Sequence, residues 1–335
     1  MKKKTIIFIF LDLLVLVCFF VFYGPFAYFR NLIISTAMVT KTHQWVAYTF
    51  FSEKAVSKVI EANSYIPIDD EVDLDEIVID NKERDSYDNK YDEIILTREP
   101  GNEDYKYIEI KVGGYKAHLV AIYDPSKVKL ITSKKFNAGG SGMEKVINIC
   151  KRLHGKVCIN GGGFSDPTGW GSDIPIGYLI KDGEIIWAGH SGPSDLIGFT
   201  KDNKLLLVNA TGEEAINMGM RDALQFGPFL IVNGEKIKFN SAAGGYDRAA
   251  RVAIGQRKDG TILFLVTEGV HTKGPNLKEV TDTLALYGAY NAANLDGGTS
   301  SSLVIENKLI NNPLTVYGTA VKNGRGVVSG FGLLP

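Results

Sequence analysis

Residues 105–123 read YKYIEIKVGGYKAHLVAIY. From Tyr107 to Val112 apolar and polar side chains alternate with the period of a half-buried strand, and Gly113-Gly114 lets the chain reverse tightly. His118 to Tyr123 continues as a second strand, so the stretch predicts a hairpin. The pattern repeats downstream. Strands are expected at 128–132, 157–159, 178–180, 184–187, 196–199, 205–208, 228–232, 251–255 and 261–267, with Asp182-Gly183 and Asn233-Gly234 as the clearest hairpin turns. Helical spacing appears at 143–153, where Gly155 stops it, and at 277–287. The expected fold is therefore α+β, a strand-rich mixed-sheet domain over 105–335 with few helices. The 36 glycines, many of them clustered, imply many sites where backbone turns sharply or approaches something closely.

Upstream the character changes twice. Residues 69–104 carry 15 acidic and 4 basic groups and lack long apolar runs, as a solvated linker would. Residues 31–68 mix apolar and polar residues at helical spacing, and Ser52-Glu-Lys-Ala reads as a helix start, so a juxtamembrane helical segment is expected. Residues 1–30 hold the apolar run TIIFIFLDLLVLVCFFVFY from Thr5 to Tyr23, long enough to cross a bilayer as one helix. Lys2, Lys3 and Lys4 precede it, and Phe22-Tyr-Gly-Pro-Phe26 offers no small-residue cleavage pattern. An uncleaved single-pass anchor is expected, with the N-terminus cytoplasmic and the remainder outside. The formal net charge of −1 thus sums different environments: 7 basic and 3 acidic groups in 1–68, and 26 against 20 beyond 104. No nucleic-acid partner is expected.

Three cysteines make no disulfide framework. Cys18 lies in the anchor, and Cys150 and Cys158 are expected as buried free thiols, able to pair only if their Cα atoms come within roughly 7 Å. The five histidines are scattered and no Cys/His spacing suits zinc. The loop from Ser165 to Asp173 offers oxygen ligands of a kind suited to a divalent cation such as calcium, at a spacing that matches no standard site.

Some familiar chemistries are excluded by spacing. Gly189-His-Ser-Gly-Pro193 has proline where a nucleophile elbow needs glycine, Gly324–Gly330 is one residue too long for a dinucleotide fingerprint, and there is no P-loop. Four glycine-bearing stretches remain, each next to an apolar element: Asn160-Gly-Gly-Gly-Phe164, Phe226-Gly-Pro228, Arg251-Val-Ala-Ile-Gly-Gln256 and Asn294-Leu-Asp-Gly-Gly-Thr-Ser-Ser301. Taken singly, each reads as a tight turn. A polar residue at a strand end followed by glycine is also how a rigid scaffold presents a side chain and backbone N–H groups to a ligand.

Together, and in this order, the four resemble the phosphodiester glycosidase family, with its Asn-Gly-Gly-Phe-Phe, Phe-Gly-Pro, Arg-Thr-Ala-Ile-Gly and Asn-Leu-Asp-Gly-Gly-Gly-Ser-Ser elements. The likeness runs from about Tyr105 to the C-terminus. Gly163, Val252 and Thr299 depart from the usual residues, and Glu268-Gly-Val-His271 stands in place of a common Asp-Gly-Arg. The resemblance implies a hydrolase that cleaves a sugar-1-phosphodiester in an envelope or exopolysaccharide glycan. Breaking that bond at the sugar carbon needs charge stabilisation on an oxocarbenium-like sugar, while the phosphate monoester leaves with little acid assistance. Asp296 is then the candidate nucleophile or general base, Glu268 its partner, and Arg251 the phosphate clamp, since its planar fork pairs with two phosphate oxygens. Asn160, Gly161, Gly162, Gly297, Gly298, Thr299, Ser300, Ser301 and His271 are candidate substrate contacts. A glycan-binding module that kept the fold without turnover, and a plain phosphodiesterase cutting at phosphorus, remain as alternatives.

Overall fold

The computed structural model describes residues 3–24, 27–39, 44–68, 70–80, 82–136, 142–165, 172–241, 248–270 and 273–335. The chain forms two compact units, one of residues 1–64 with 239–247 and one of 65–238 with 248–335.

In the first unit the helix Lys3–Tyr23 is apolar on every side, and its stretch Thr5–Tyr23 has a mean hydropathy of 3.0 with none of it buried. That fits a membrane span or signal anchor. Helices Ala27–Val39, Gln44–Phe50 and Glu53–Asn63 follow. Ile34, Ala37, Ala47, Phe51, Val56 and Val59 pack between them. Ser52 caps the last helix by accepting from the Ala55 N–H, as its sequence requires.

The second unit has the expected strand-rich α+β architecture with few helices. Its largest sheet has seven strands in the order Glu235–Lys236, Phe229–Val232, Ala289–Leu295, Val252–Arg257, Ile262–Thr267, Tyr115–Ile122, Tyr105–Val112. A five-stranded sheet runs Lys308–Leu309, Leu303–Ile305, Val157–Asn160, Ser329–Leu333, Val128–Thr132, and another runs Leu205–Ala210, Ser194–Thr200, Met220–Gln225, Tyr178–Lys181, Glu184–Ala188. Every pairing in these three sheets is antiparallel. Alternate side chains from all three meet in one core, including Val120, Ile159, Phe199, Leu224, Ile254, Phe264 and Phe331. Asp182-Gly183 and Asn233-Gly234 both hold positive φ at each residue, the conformation tight hairpins need.

The structure corrects several expectations. The acidic segment is not a free linker: it belongs to the second unit and contains the helix Lys90–Leu96, with Ile77, Ile95 and Leu96 buried. Its Asp92 receives a 2.7 Å hydrogen bond from the buried Arg257 guanidinium, and Val78 and Asp80 hydrogen-bond the Lys258 and Asp259 carbonyls. Composition gave no sign of this, because the ion-pair partner lies 165 residues away. Cys150 and Cys158 are not free thiols but a disulfide, their Cα atoms 5.9 Å apart across the turn that closes the helix Val146–Arg152. That helix starts three residues later than expected, since Glu144–Lys145 pairs with Gly326–Val327 as strand.

Candidate functional site

The candidate residues Arg251, Glu268 and Asp296 sit at one end of the seven-stranded sheet. Val252 pairs with both Leu295 and Val266. One residue further out, Arg251 therefore lies between Asp296 and Thr267, each one strand spacing away, about 4.8 Å by sheet geometry. The Arg251 N–H donates to the Thr267 hydroxyl at 2.8 Å, and the Thr267 N–H donates back to the Arg251 carbonyl at 2.8 Å. Arg251 is largely buried and Asp296 half-buried.

Asp296 opens a loop that joins two sheets. Its N–H donates to the Gly161 carbonyl at 2.8 Å, next to the strand Val157–Asn160 of the five-stranded sheet. The Asn160 side chain spans the loop: Nδ2 donates to the Asp296 carbonyl at 2.6 Å and Oδ1 accepts from the Ser302 N–H at 2.9 Å. Asn160 is 1% exposed, and its side chain is the clasp that sets the loop's shape. Gly161 and Gly162 are also buried, in contact range of Leu224 and Ser329, and they line the base under the loop rather than an open surface.

The glycine pair fits the loop to Arg251. The Gly298 N–H donates to the Ala250 carbonyl at 2.8 Å, and a Cβ on Gly297 would stand 2.6 Å from that same oxygen. Gly298 has φ +57, which a side chain disfavours. A short 3-10 turn, Gly298–Ser300, then carries the chain inward. Ser300, Ser301 and Ser302 are buried, and the Ser302 hydroxyl donates to the Ser300 carbonyl at 3.1 Å. Ser300 and Ser301 are thus the buried end of the motif. Asp296, Gly297, Gly298 and Thr299 form the accessible part of the motif. The Phe226-Gly-Pro228 element reaches the same place: Asn294 donates through Nδ2 to the Gly227 carbonyl at 2.9 Å and through its N–H to the Pro228 carbonyl at 3.0 Å.

Glu268 is already engaged. Its carboxylate meets His118 Nε2 at 3.1 Å and accepts from the Asn312 N–H at 3.0 and 3.1 Å. His118 is fully buried and its Nδ1 lies 2.9 Å from the Tyr107 hydroxyl, which also reaches Glu109 at 3.2 Å. Burial, with Glu109 and Glu268 nearby, pushes the Tyr107 phenol up to about 12. Tyr107 therefore stays a neutral donor through the physiological range.

Asn311 is the residue that sequence reasoning missed. It is 5% exposed, accepts from the Leu303 N–H at 2.8 Å and donates to the Ser301 carbonyl at 2.9 Å, a second clasp beyond that of Asn160. Because Asn312 holds Glu268, these two consecutive asparagines tie the 296–302 loop to the Glu268–His118 pair. In sequence they precede Pro313 and read only as a turn. His271 and most of the oxygen-rich loop, residues 166–171, lie outside the described residues. Among the described residues no group of three or more His, Cys, Asp or Glu side chains is placed to hold a metal. Trp187 packs edge-on against Phe136 and donates to the Pro175 carbonyl at 2.9 Å, a structural setting.

The chain matches the phosphodiester glycosidase family over residues 155–333, more than half its length, and belongs to that family. An SPbeta prophage-derived uncharacterized protein of Bacillus subtilis, YomE, is 30% identical over 197 residues, 57% of this chain and 30% of the relative. Mouse N-acetylglucosamine-1-phosphodiester alpha-N-acetylglucosaminidase is 22% identical over 216 residues, 58% of this chain and 41% of the mouse protein. The chain thus spans well under half the length of these curated relatives. The catalytic domain of the zebrafish N-acetylglucosamine-1-phosphodiester alpha-N-acetylglucosaminidase, auto-inhibited by its pro-peptide, has a TM-score of 0.57 at 20% identity, covering 69% of this chain and 82% of that one. That likeness establishes a common fold.

Proposed function

We propose that this protein hydrolyses a sugar-1-phosphodiester bond in an extracytoplasmic glycan while tethered to the membrane by its N-terminal helix. The observation that carries the reading is the Asn160 clasp, which gathers the Asp296 loop onto Gly161 while Gly298 docks beside Arg251. Four segments that are turns in sequence meet there, and they hold Asp296 half-buried about one strand spacing from Arg251. Asp296 attacks the sugar carbon or activates the water that does so, and Arg251 neutralises the departing phosphate. Thr299 and the adjoining glycine backbone contact the phosphate or sugar. Glu268, held by His118 and Asn312, acts as a fixed negative charge rather than as a mobile proton carrier. Lys2, Lys3 and Lys4 favour a cytoplasmic N-terminus and hence an outward-facing domain.

The test uses the full chain in detergent with methyl N-acetylglucosaminyl-1-phosphodiester as the substrate, in water enriched in oxygen-18. Free sugar carrying the label and unlabelled methyl phosphate are expected, with Asp296→Asn lowering turnover by roughly 10²–10⁴-fold. Label in the phosphate would instead mean attack at phosphorus. Binding of an anionic glycan without product, indifferent to Asp296→Asn, would mean a glycan-binding module.

A further inference from the structure

The first unit has an inside and an unusual outside. Its four helices pack through Ile34, Ala37, Ala47, Phe51, Val56 and Val59. Yet Tyr28, Phe29, Trp45, Tyr48 and Phe50 are exposed by 58%, 49%, 63%, 51% and 44%. On the helix Gln44–Phe50, Trp45 and Tyr48 lie three residues apart and share a face, while Ala47 points into the packed interior. Single exposed apolar residues are ordinary; five large aromatics on two short helices require an environment.

The height of these side chains relative to the apolar helix is fixed by contacts at its outer end. The Tyr23 hydroxyl donates to the Phe50 carbonyl at 2.7 Å. Phe22 packs its ring on Phe50 at 5.4 Å and on Phe51 at 5.7 Å, and Tyr23 meets Phe51 at 6.3 Å between centroids. Tyr23 is the last residue of the apolar stretch that begins at Thr5. The C-terminus of the helix Gln44–Phe50 is therefore pinned at the level where that stretch stops. That is the depth at which a bilayer's acyl region gives way to headgroups, and rings with one polar atom settle there.

We propose that the helix Gln44–Phe50 lies in the headgroup layer of the membrane that Lys3–Tyr23 spans, with Trp45 and Tyr48 inserted and Tyr28 and Phe29 completing an aromatic belt. The occupant of this apolar surface is lipid, because the surface is continuous with the lipid-facing helix through the Phe22, Tyr23 and Phe50 contacts. A helix held at both its own interface and the end of a span fixes the tether's exit direction, which one flexible residue after a span would not. The inference rests on the apolar helix remaining attached, and it is independent of the hydrolase reading.

The experiment places the full chain in vesicles of equal parts phosphatidylcholine and phosphatidylglycerol. Tryptophan quenching is measured with lipids carrying a nitroxide at the headgroup or bromine deep in the acyl chain, and with aqueous iodide. Wild type is compared with Trp45→Phe, a conservative change at an exposed position. A component quenched most by the headgroup nitroxide, shielded from iodide, and lost in Trp45→Phe is expected. A Trp45 component open to iodide and untouched by either lipid quencher overturns the proposal and leaves the surface for a protein partner. The intact mass of the membrane-extracted chain is read in parallel: retention of residues 1–23 is expected, and cleavage after the apolar helix overturns the proposal at its premise. Neither result bears on hydrolysis, which is assayed separately.

Discussion

Replacing Asn160 by aspartate changes one NH₂ group to oxygen at the centre of the loop clasp. The new carboxylate still accepts from the Ser302 N–H, but it faces the Asp296 carbonyl, which Asn160 Nδ2 reaches at 2.6 Å, with nothing to donate. At a site 1% exposed the charged form is disfavoured, so the acid keeps its proton and donates it to that carbonyl. The folded-state pKa is thereby raised above the unfolded value of about 3.9. A raised carboxyl pKa means that the variant's stability is intact below about pH 4 and is lost as pH climbs toward the folded value. Burial of this kind raises a carboxyl by about three units or more, and at about 1.4 kcal/mol per unit the deficit reaches roughly 4 kcal/mol near neutrality. Urea unfolding of both proteins across this window reads it directly. A gap of about 1 kcal/mol or less is expected at the acid end, widening steadily with pH. Turnover of the sugar-1-phosphodiester should fall along the same curve. Parallel stability curves at all pH values would refute the clasp, because they would mean that donation to the Asp296 carbonyl contributes nothing.

Gly297→Ala and Gly298→Ala should part company. At 297 the added carbon meets backbone oxygen at 2.6 Å, so the loop shifts away from Arg251 and kcat/KM drops about 10²-fold, whereas at 298 the added carbon meets nothing within 4 Å and only the φ of +57 costs stability, about 1 kcal/mol; equal kinetics for the two would deny that the loop's distance from Arg251 matters. Asp92→Ala removes the acidic segment's ion pair to buried Arg257, which keeps Asp259 at 3.1 Å, and a loss of about 2 kcal/mol in chemical unfolding is expected. A fragment cut at residue 105 should suffer at least as much, and one beginning at 65 should not. Asp104 is held below the usual carboxylate range by hydrogen bonds from Lys127 and Lys156. Its contribution is present at neutral pH and is lost as pH falls through the acid range, so Asp104→Asn should flatten the acid limb of the stability curve.

Strands with clean alternation, such as Tyr105–Val112, were legible because one face meets the core and the other meets water. Met220–Gln225 was not, since Arg221 and Asp222 break its apolar run; in the fold they form a 2.8 Å pair, with Asp222 1% exposed and the guanidinium donating to the Val128 carbonyl. The helix Gly212–Asn217 was overlooked although Thr211 and Glu214 make a full capping box, because six residues are too few for periodicity to register. In the site, the motifs located Asp296 and Arg251 but not the duties of their neighbours. The Asn160 side chain meets a backbone carbonyl 136 residues away, and the Ser301 carbonyl is met by the Asn311 side chain across a buried turn; no local pattern encodes either. Gly297 was legible as small and not as necessary, since the oxygen it must clear belongs to Ala250.

The strand Ser329–Leu333 lies in the interior of its sheet, between Val157–Asn160 and Val128–Thr132. Gly330 pairs with Asn160 itself, and the Gly161 N–H donates to the Ser329 carbonyl. The seat of the Asp296 loop is therefore built from strands far apart in the sequence. Pairings of such long sequence separation form late and slowly. A chain cut before Ser329 would therefore keep every motif residue from Asn160 to Ser301 and still lack the strand on which the Asp296 loop is seated.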